Sequence, residues 1–354
     1  MIKSLWALAL VLLILPASGS EYPLTITDSA GREVTIDAPV GGIIVLNSDA
    51  AEAVAVLGAV GKVVGISNSV KDKAISSYFP ELDDLSTVGK WNNPDFEAIG
   101  ELSRDESMGD IVVISYSYPD KSYGIFSIEE GLSPFENIIV LALDFFRPET
   151  MAEEITLLGA VLNKEDRAEE YVQWVESKRT QVEMAVEGKA RPRAYVEWSS
   201  SGGLGSLSTM GPGSGFGVLL DMAGGENIAE GLEGDYPKVD WEWVVSEDPQ
   251  VMIKRVAATD ETRFGWTEDS LPLDESEEIQ SRPGAESISA VQDGRAYLCH
   301  WDMMAGLDHP VGLTYLAKML YPEADLDPQE ARREYLELLG KTPTMDTTFV
   351  YPGV

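Results

Sequence analysis

The chain has 354 residues, with 26 basic against 60 acidic side chains, a formal charge of −34, one cysteine and two histidines. That charge excludes nucleic acid as a partner, since binding it requires clustered Lys and Arg to neutralise phosphates. A single Cys299 excludes an internal disulfide and a cysteine-ligated iron–sulfur cluster, and about 330 residues beyond a leader are too many for one ordinary core, so two lobes are expected.

Residues 1–19 read as a secretory signal: Lys3, an apolar run from Leu5 to Leu15, then Pro16 and the small residues Ala17, Ser18 and Gly19. The run is short of the roughly 20 residues that a membrane span requires, so export with cleavage is expected, and no cysteine follows for a lipid anchor. Leu24 and Ile26, then Val34 and Ile36, alternate with polar residues on either side of Asp28-Ser29-Ala30-Gly31, predicting a hairpin. Ile43 to Leu46, Asn47-Ser48-Asp49, Ala50 to Leu57 and Val63 to Ile66 read as a strand, loop, helix and strand, with Asp49 and Glu52 spaced as a capping box and Gly58 as the stop.

Further strands are expected at Asp110 to Ser115 and Ile138 to Leu143, between short helices, which implies a largely parallel sheet. This N-terminal lobe spans 20–163. Residues 164–188 predict one long helix, with Tyr171, Trp174, Val175 and Lys178 along one side, lying across both lobes. The C-terminal lobe, 189–354, restarts with a strand at Ala194 to Trp198, followed by strands at Val251 to Ile253 and Ala296 to Cys299 and helices at Val311 to Leu320 and Pro328 to Leu339. Residues 258–284, rich in acid, Pro and Ser, read as irregular.

The ordered set Asp28-Ser29-Ala30-Gly31-Arg32-Glu33-Val34, Val88-Gly89 before Asn93-Pro94-Asp95-Phe96-Glu97, Leu158-Gly159 and Ala223-Gly224-Gly225-Glu226-Asn227 resembles the substrate-binding proteins of iron-siderophore, haem and cobalamin ABC importers. The resemblance spans nearly all of the chain after the leader. It implies the class III substrate-binding fold: α/β, two Rossmann-like lobes bridged by a single long helix, with a ligand cleft between them and little relative motion. It also implies a permease with its ATPase as partner, docked through one exposed acid on each lobe. Glu226 is the matching C-lobe position, and Asp84 stands near the N-lobe one.

Ligands of open α/β sheets sit beyond the carboxyl ends of the strands, which makes Asn47, Ser48 and Asp49 candidates. Trp91, Asn92, Tyr116, Tyr118, Phe146 and Arg147 follow N-lobe strands or turns, and Trp198, Ser214, Trp241, Arg255, Trp301 and Met303 hold the corresponding C-lobe positions. Aromatics at strand ends grip a large flat ligand by area and stacking, and arginines there pair with its carboxylates; packing and intramolecular ion pairs are the competing roles. His300 and His309 are too few for a bare zinc site but are candidate axial ligands to haem iron or corrinoid cobalt. Gly211-Pro212-Gly213-Ser214-Gly215 lacks the Gly-Lys-Ser/Thr ending of a phosphate loop, and no Gly-x-Ser-x-Gly elbow is present. The sequence therefore reads as an exported, monomeric, non-enzymatic receptor that has no intrinsic cofactor and captures a metal chelate of iron or cobalt. Ferric siderophore and corrinoid rank ahead of haem. A cell-surface interaction protein on the same fold is the alternative.

Overall fold

The computed structural model describes residues 22–354 except 73, 74, 76, 77, 105–107, 260, 263, 302–305 and 343–345. The signal read at 1–19 and the candidate Met303 lie outside the described residues. Strands β1 (Leu24–Thr27) and β2 (Glu33–Ile36) form the expected hairpin, with Gly31 at φ 75° in the turn. Strands β3 (Gly42–Val45), β4 (Val63–Ile66), β5 (Ile111–Ser115) and β6 (Ile138–Ala142) form an all-parallel sheet in the order β4-β3-β5-β6. Helices α1 (Ser48–Val56), α2 (Phe96–Leu102) and α3 (Ile125–Leu132) cross between them. The strand order reverses between β3 and β5, so the loops after these two strands open a crevice.

The start of α1 differs from the expected capping box. Asn47, in extended backbone, is the N-cap, its side chain accepting from the Ala50 N–H at 2.5 Å and donating to the Leu143 carbonyl at 3.1 Å. Asp49 and Glu52 are thereby left to point elsewhere.

After α4 (Met151–Leu162), helix α5 (Glu165–Val186) runs for 22 residues, about 33 Å at 1.5 Å per residue. The second sheet has seven strands: β7 (Arg193–Ser199), β8 (Leu207–Thr209), β9 (Glu226–Asn227), β10 (Lys238–Val239), β11 (Val251–Val256), β12 (Ala296–His300) and β13 (Val350–Tyr351), in the order β10-β8-β7-β11-β12-β13 with β9 beside the start of β7. The centre β7-β11-β12 is parallel, and β8 and β13 flank it antiparallel. Its principal helices are α6 (Gly215–Met222), α7 (Trp241–Glu247), α8 (Leu273–Ser281), α9 (His309–Leu320) and α10 (Pro328–Leu338).

The stretch 258–284, expected to be irregular, contains α8. Lys254, on β11, reaches Glu275 and Glu278 of α8 at 2.7 Å each, and Arg282, the C-cap of α8, bonds Glu278 at 2.8 Å and Glu197 on β7 at 2.6 and 2.8 Å. A run dense in acid is helical because a buried lysine beneath it and an arginine at its own C-cap supply the countercharge.

Helix α5 packs on α4 and α1 at one side and on α6 and α9 at the other. Tyr171 donates to the Leu307 carbonyl at 2.8 Å, and Trp174 donates to Glu334 at 2.8 Å while stacking on Tyr335. Arg167 bonds the Val56 carbonyl at the end of α1 and the Leu338 carbonyl at the end of α10, a cation shared by two helix C-termini. One hydrophobic core, from Ile26 through Tyr171, Val175 and Val182 to Val350, continues through both lobes.

Candidate ligand-binding site

A cavity of about 400 Å³ opens between the lobes, and an adjoining one of about 240 Å³ shares Asp49, Tyr116, Tyr118, Phe146, Trp301 and Gly306 with it. The N-lobe wall is an aromatic cluster. Trp91 meets Tyr116 edge-on at 5.5 Å, Tyr116 lies 5.3 Å from Tyr118, and Tyr118 stacks on Phe146 at 6.3 Å. Tyr116 donates to Asp49 at 2.8 Å, and burial, reinforced by that carboxylate, pushes the phenol's pKa far up, so it stays a neutral donor. Behind the wall, Asp144 accepts from the Ser117 N–H and hydroxyl at 2.7 and 2.8 Å, and Glu154 accepts from the Asp144 and Phe145 N–H groups at 3.1 and 2.7 Å. Burial raises the pKa of both carboxyls.

The opposing wall is built from Trp301 and Phe216, with Trp198 packed behind Trp301. Trp198 meets Trp301 edge-on at 4.3 Å, Trp301 stacks on Phe216 at 6.0 Å, and the Arg255 guanidinium lies 4.0 Å over Trp198 and 5.0 Å over Trp301. Arg147, from the other lobe, lies 5.3 Å over Phe146. Both arginines approach Tyr236, where they oppose the upward push that burial and Asp235 give its phenol.

Of the residues expected at the cleft, Ser48, Asp49, Trp91, Tyr116, Tyr118, Phe146 and Trp301 line the main cavity. Trp198 and Arg255 back Trp301, and Arg147 lines a neighbouring polar recess with Asp144 and Glu154. Five candidates fall elsewhere. Asn47 is fully buried in its capping role, Asn92 is exposed, and Ser214 caps α6 by accepting from the Gly217 N–H at 3.0 Å. Trp241 is buried in a separate C-lobe core, its indole donating to the Pro283 carbonyl at 2.7 Å. Burial needs that partner, so the ring is committed to the fold. His300 is buried between Trp266 and Phe349 and donates to the Thr262 carbonyl at 2.7 Å, away from the cavity. His309 lines the smaller cavity; it donates from Nδ1 to the Gly306 carbonyl at 3.1 Å, and burial lowers its pKa to about 4, keeping it neutral.

Residues that sequence reasoning missed form the inner end of the cavity: Glu52, Tyr78, Phe264, Arg332, Tyr335 and Phe349. Two of them left a signal in the sequence, for Arg332 and Tyr335 stand together on the buried stripe of α10 with Leu336. Among the described residues no group of three or more His, Cys, Asp or Glu comes together to hold a metal ion.

The periplasmic binding protein family matches residues 43–302, more than half of the chain. The chain belongs to that family. Its members are substrate-binding components of ABC importers, not enzymes. This periplasmic binding protein is 24% identical over 243 residues to a cobalamin-binding protein of Halobacterium salinarum, a match covering 67% of this chain and 60% of that relative. It is 22% identical over 342 residues to the molybdate-binding protein MolA of Haemophilus influenzae, covering 90% and 91% of the two chains. Among solved structures, the TroA-like periplasmic binding protein FepB of Veillonella parvula superposes with a TM-score of 0.75 at 21% identity over 93% of this chain and 99% of its own. The fold is that of the TroA-like, class III receptors. Among the described residues no helix is long and apolar enough to cross a membrane.

Proposed function

We propose that this protein captures a metal chelate of iron or cobalt in the interlobe cavity and presents it to an ABC permease, whose ATPase drives uptake. One observation carries this reading: Trp91, Tyr116, Tyr118 and Phe146 on one lobe stand with Phe216 and Trp301 on the other around two adjoining cavities, with Trp198, Arg147 and Arg255 beside them. Aromatic faces supply area and stacking for a bulky, flat or organic ligand, and the arginines supply anionic complementarity. The likeness to a cobalamin-binding relative favours a corrinoid, with ferric siderophores beside it and haem third. The chelate is cargo, so no resident cofactor is required.

In this reading residues 20–163 and 189–354 supply the two walls and 164–188 the rigid joint, the protein is exported by the segment 1–19, and it works as a monomer. Glu226, exposed and 3.6 Å from Arg193, and exposed Asp84 are the acids that would meet basic permease residues.

The test is a titration of the mature protein with cyanocobalamin, ferric siderophores, haem and free metals, followed by tryptophan fluorescence. Saturable quenching by one chelate at micromolar or tighter affinity is the expected outcome. A folded sample that responds to none of them refutes the reading.

A further inference from the structure

Two arginines of the C-terminal lobe are almost fully buried, and they are treated differently. Arg282, with a side chain 1% exposed, bonds Glu197 through two nitrogens at 2.6 and 2.8 Å and Glu278 through two contacts at 2.8 Å. Arg332, also 1% exposed, has no hydrogen-bond partner for either Nη1 or Nη2 among the described residues. A guanidinium withdrawn from water without a partner is strongly destabilising, and Arg332, unlike Arg282, leaves both terminal nitrogens in that state.

Arg332 forms part of the wall at the inner end of the main cavity. Its guanidinium lies 4.6 Å over the Phe349 ring and beside the Tyr78 hydroxyl, whose pKa burial raises and the arginine's charge opposes. Two acids share this end of the cavity. Glu52 already accepts from the Tyr335 hydroxyl and the Leu307 N–H. Neither terminal nitrogen of the guanidinium meets an acceptor in ordinary hydrogen-bond geometry among the described residues, with the Phe349 ring beneath and the Tyr78 hydroxyl alongside.

We propose that Arg332 is the docking point for an oxyanion, a phosphate, carboxylate or tetrahedral oxoanion, at the inner end of the interlobe cavity. The inference deepens the receptor reading and rests on it: the aromatic walls hold the body of the ligand and Arg332 takes its anionic group. A guanidinium offers paired N–H donors to such a group in bidentate geometry, and where the side chain is buried from water the interaction is stronger than at the surface. The anion has two sources. It is carried on the chelate, as the phosphodiester of a corrinoid's nucleotide arm, or it arrives free, as molybdate does for one relative.

The experiment compares wild type with Arg332→Met and Arg332→Lys by calorimetry against cyanocobalamin, cyanocobinamide (which lacks the nucleotide arm and its phosphate) and molybdate. Unfolding is followed on each sample. Met keeps the stem packed on Phe349 and removes an unmatched buried charge, so this variant should unfold at or above the wild-type temperature. The expected result is that wild type prefers cyanocobalamin over cyanocobinamide by about ten- to a hundredfold, that Arg332→Met loses the preference while keeping its affinity for cyanocobinamide, and that Lys restores part of it. Molybdate binding that disappears in Arg332→Met, without any corrinoid binding, supports the oxyanion site and overturns the chelate reading instead. Corrinoid binding with the same preference in all three proteins overturns the Arg332 site and leaves the receptor reading standing. No binding of any probe by wild type overturns both.

Discussion

Glu52, on the first helix of the N-terminal lobe, accepts a hydrogen bond from the Tyr335 hydroxyl on the last long helix of the C-terminal lobe. The two residues are 283 positions apart, and the same carboxylate also takes the Leu307 N–H at 3.3 Å. Burial, then the Glu52 and Asp308 charges, drive the Tyr335 phenol well above its ordinary range, so it remains a donor at any working pH. Tyr335→Phe is expected to lower unfolding stability by about 1 to 3 kcal/mol, since it strands part of a half-buried carboxylate. A double-mutant cycle with Glu52→Gln should return a coupling of about 1 kcal/mol in denaturant titrations; additive losses would show that the pair does not join the lobes.

The two kinds of tryptophan should separate cleanly. Trp301→Ala removes the ring that faces the cavity and is expected to weaken chelate binding about ten- to a hundredfold with a modest stability loss. Trp241→Ala removes a ring 4% exposed from the C-lobe core and should cost about 3 to 5 kcal/mol of stability, with ligand affinity of the remaining folded fraction unchanged. Calorimetric affinity beside thermal unfolding distinguishes them, and a reversal of the two phenotypes would displace the proposed site.

His309 sets one limb of the pH profile. Its folded pKa is held at about 4 by burial, against an ordinary 6.5, so between those values the unfolded chain binds a proton that the folded chain refuses. Stability should be level above pH 6.5 and fall by an amount on the order of 3 kcal/mol as pH drops to 4. His309→Gln should flatten this segment; an unchanged slope would assign it to other groups.

A second limb belongs to Glu278. Burial raises its pKa, but the hydrogen bonds and charges of Arg282 and Lys254 together overcome that and lower it to about 2. A depressed carboxylate contributes stability above its unfolded value of about 4.5, and that contribution is lost as pH falls toward 2. Glu278→Gln should be less stable than wild type at neutral pH and lose less on acidification from pH 4.5. Urea midpoints taken across that range decide the matter.

Ligand capture is expected to proceed with little change in shape. The core shared by both lobes and the hydrogen-bonded length of α5 resist hinge closure, because bending would break backbone bonds in a helix packed on both lobes. Small-angle scattering with and without saturating chelate should give radii of gyration equal within about 1 Å; compaction of several ångströms would contradict a rigid joint.

The strands, the long helix and most of the aromatic wall were legible because they obey local rules: period-two apolar runs, a turn glycine, and rings placed just after strand ends. The inner chamber was not, since Tyr78, Phe264, Arg332 and Phe349 are distant in sequence and meet only through tertiary packing. Trp241 misled because its place beside a strand end resembles that of Trp301, and only the three-dimensional partner of its indole, the Pro283 carbonyl, tells them apart. Helix α8 was hidden by its own acidity, for the lysine that offsets Glu275 and Glu278, Lys254, lies outside the stretch.

Helix α5 also fixes an angle. Each residue of an α-helix advances the chain by about 100° of rotation as well as about 1.5 Å of rise. Adding one residue within Glu165–Val186 would therefore change the separation of the lobes trivially while swinging one cavity wall a quarter-turn or more away from the other. A receptor built this way can drift to new cargo by exchanging side chains on its walls, but indels in the joint are closed to it unless they arrive in near-whole turns.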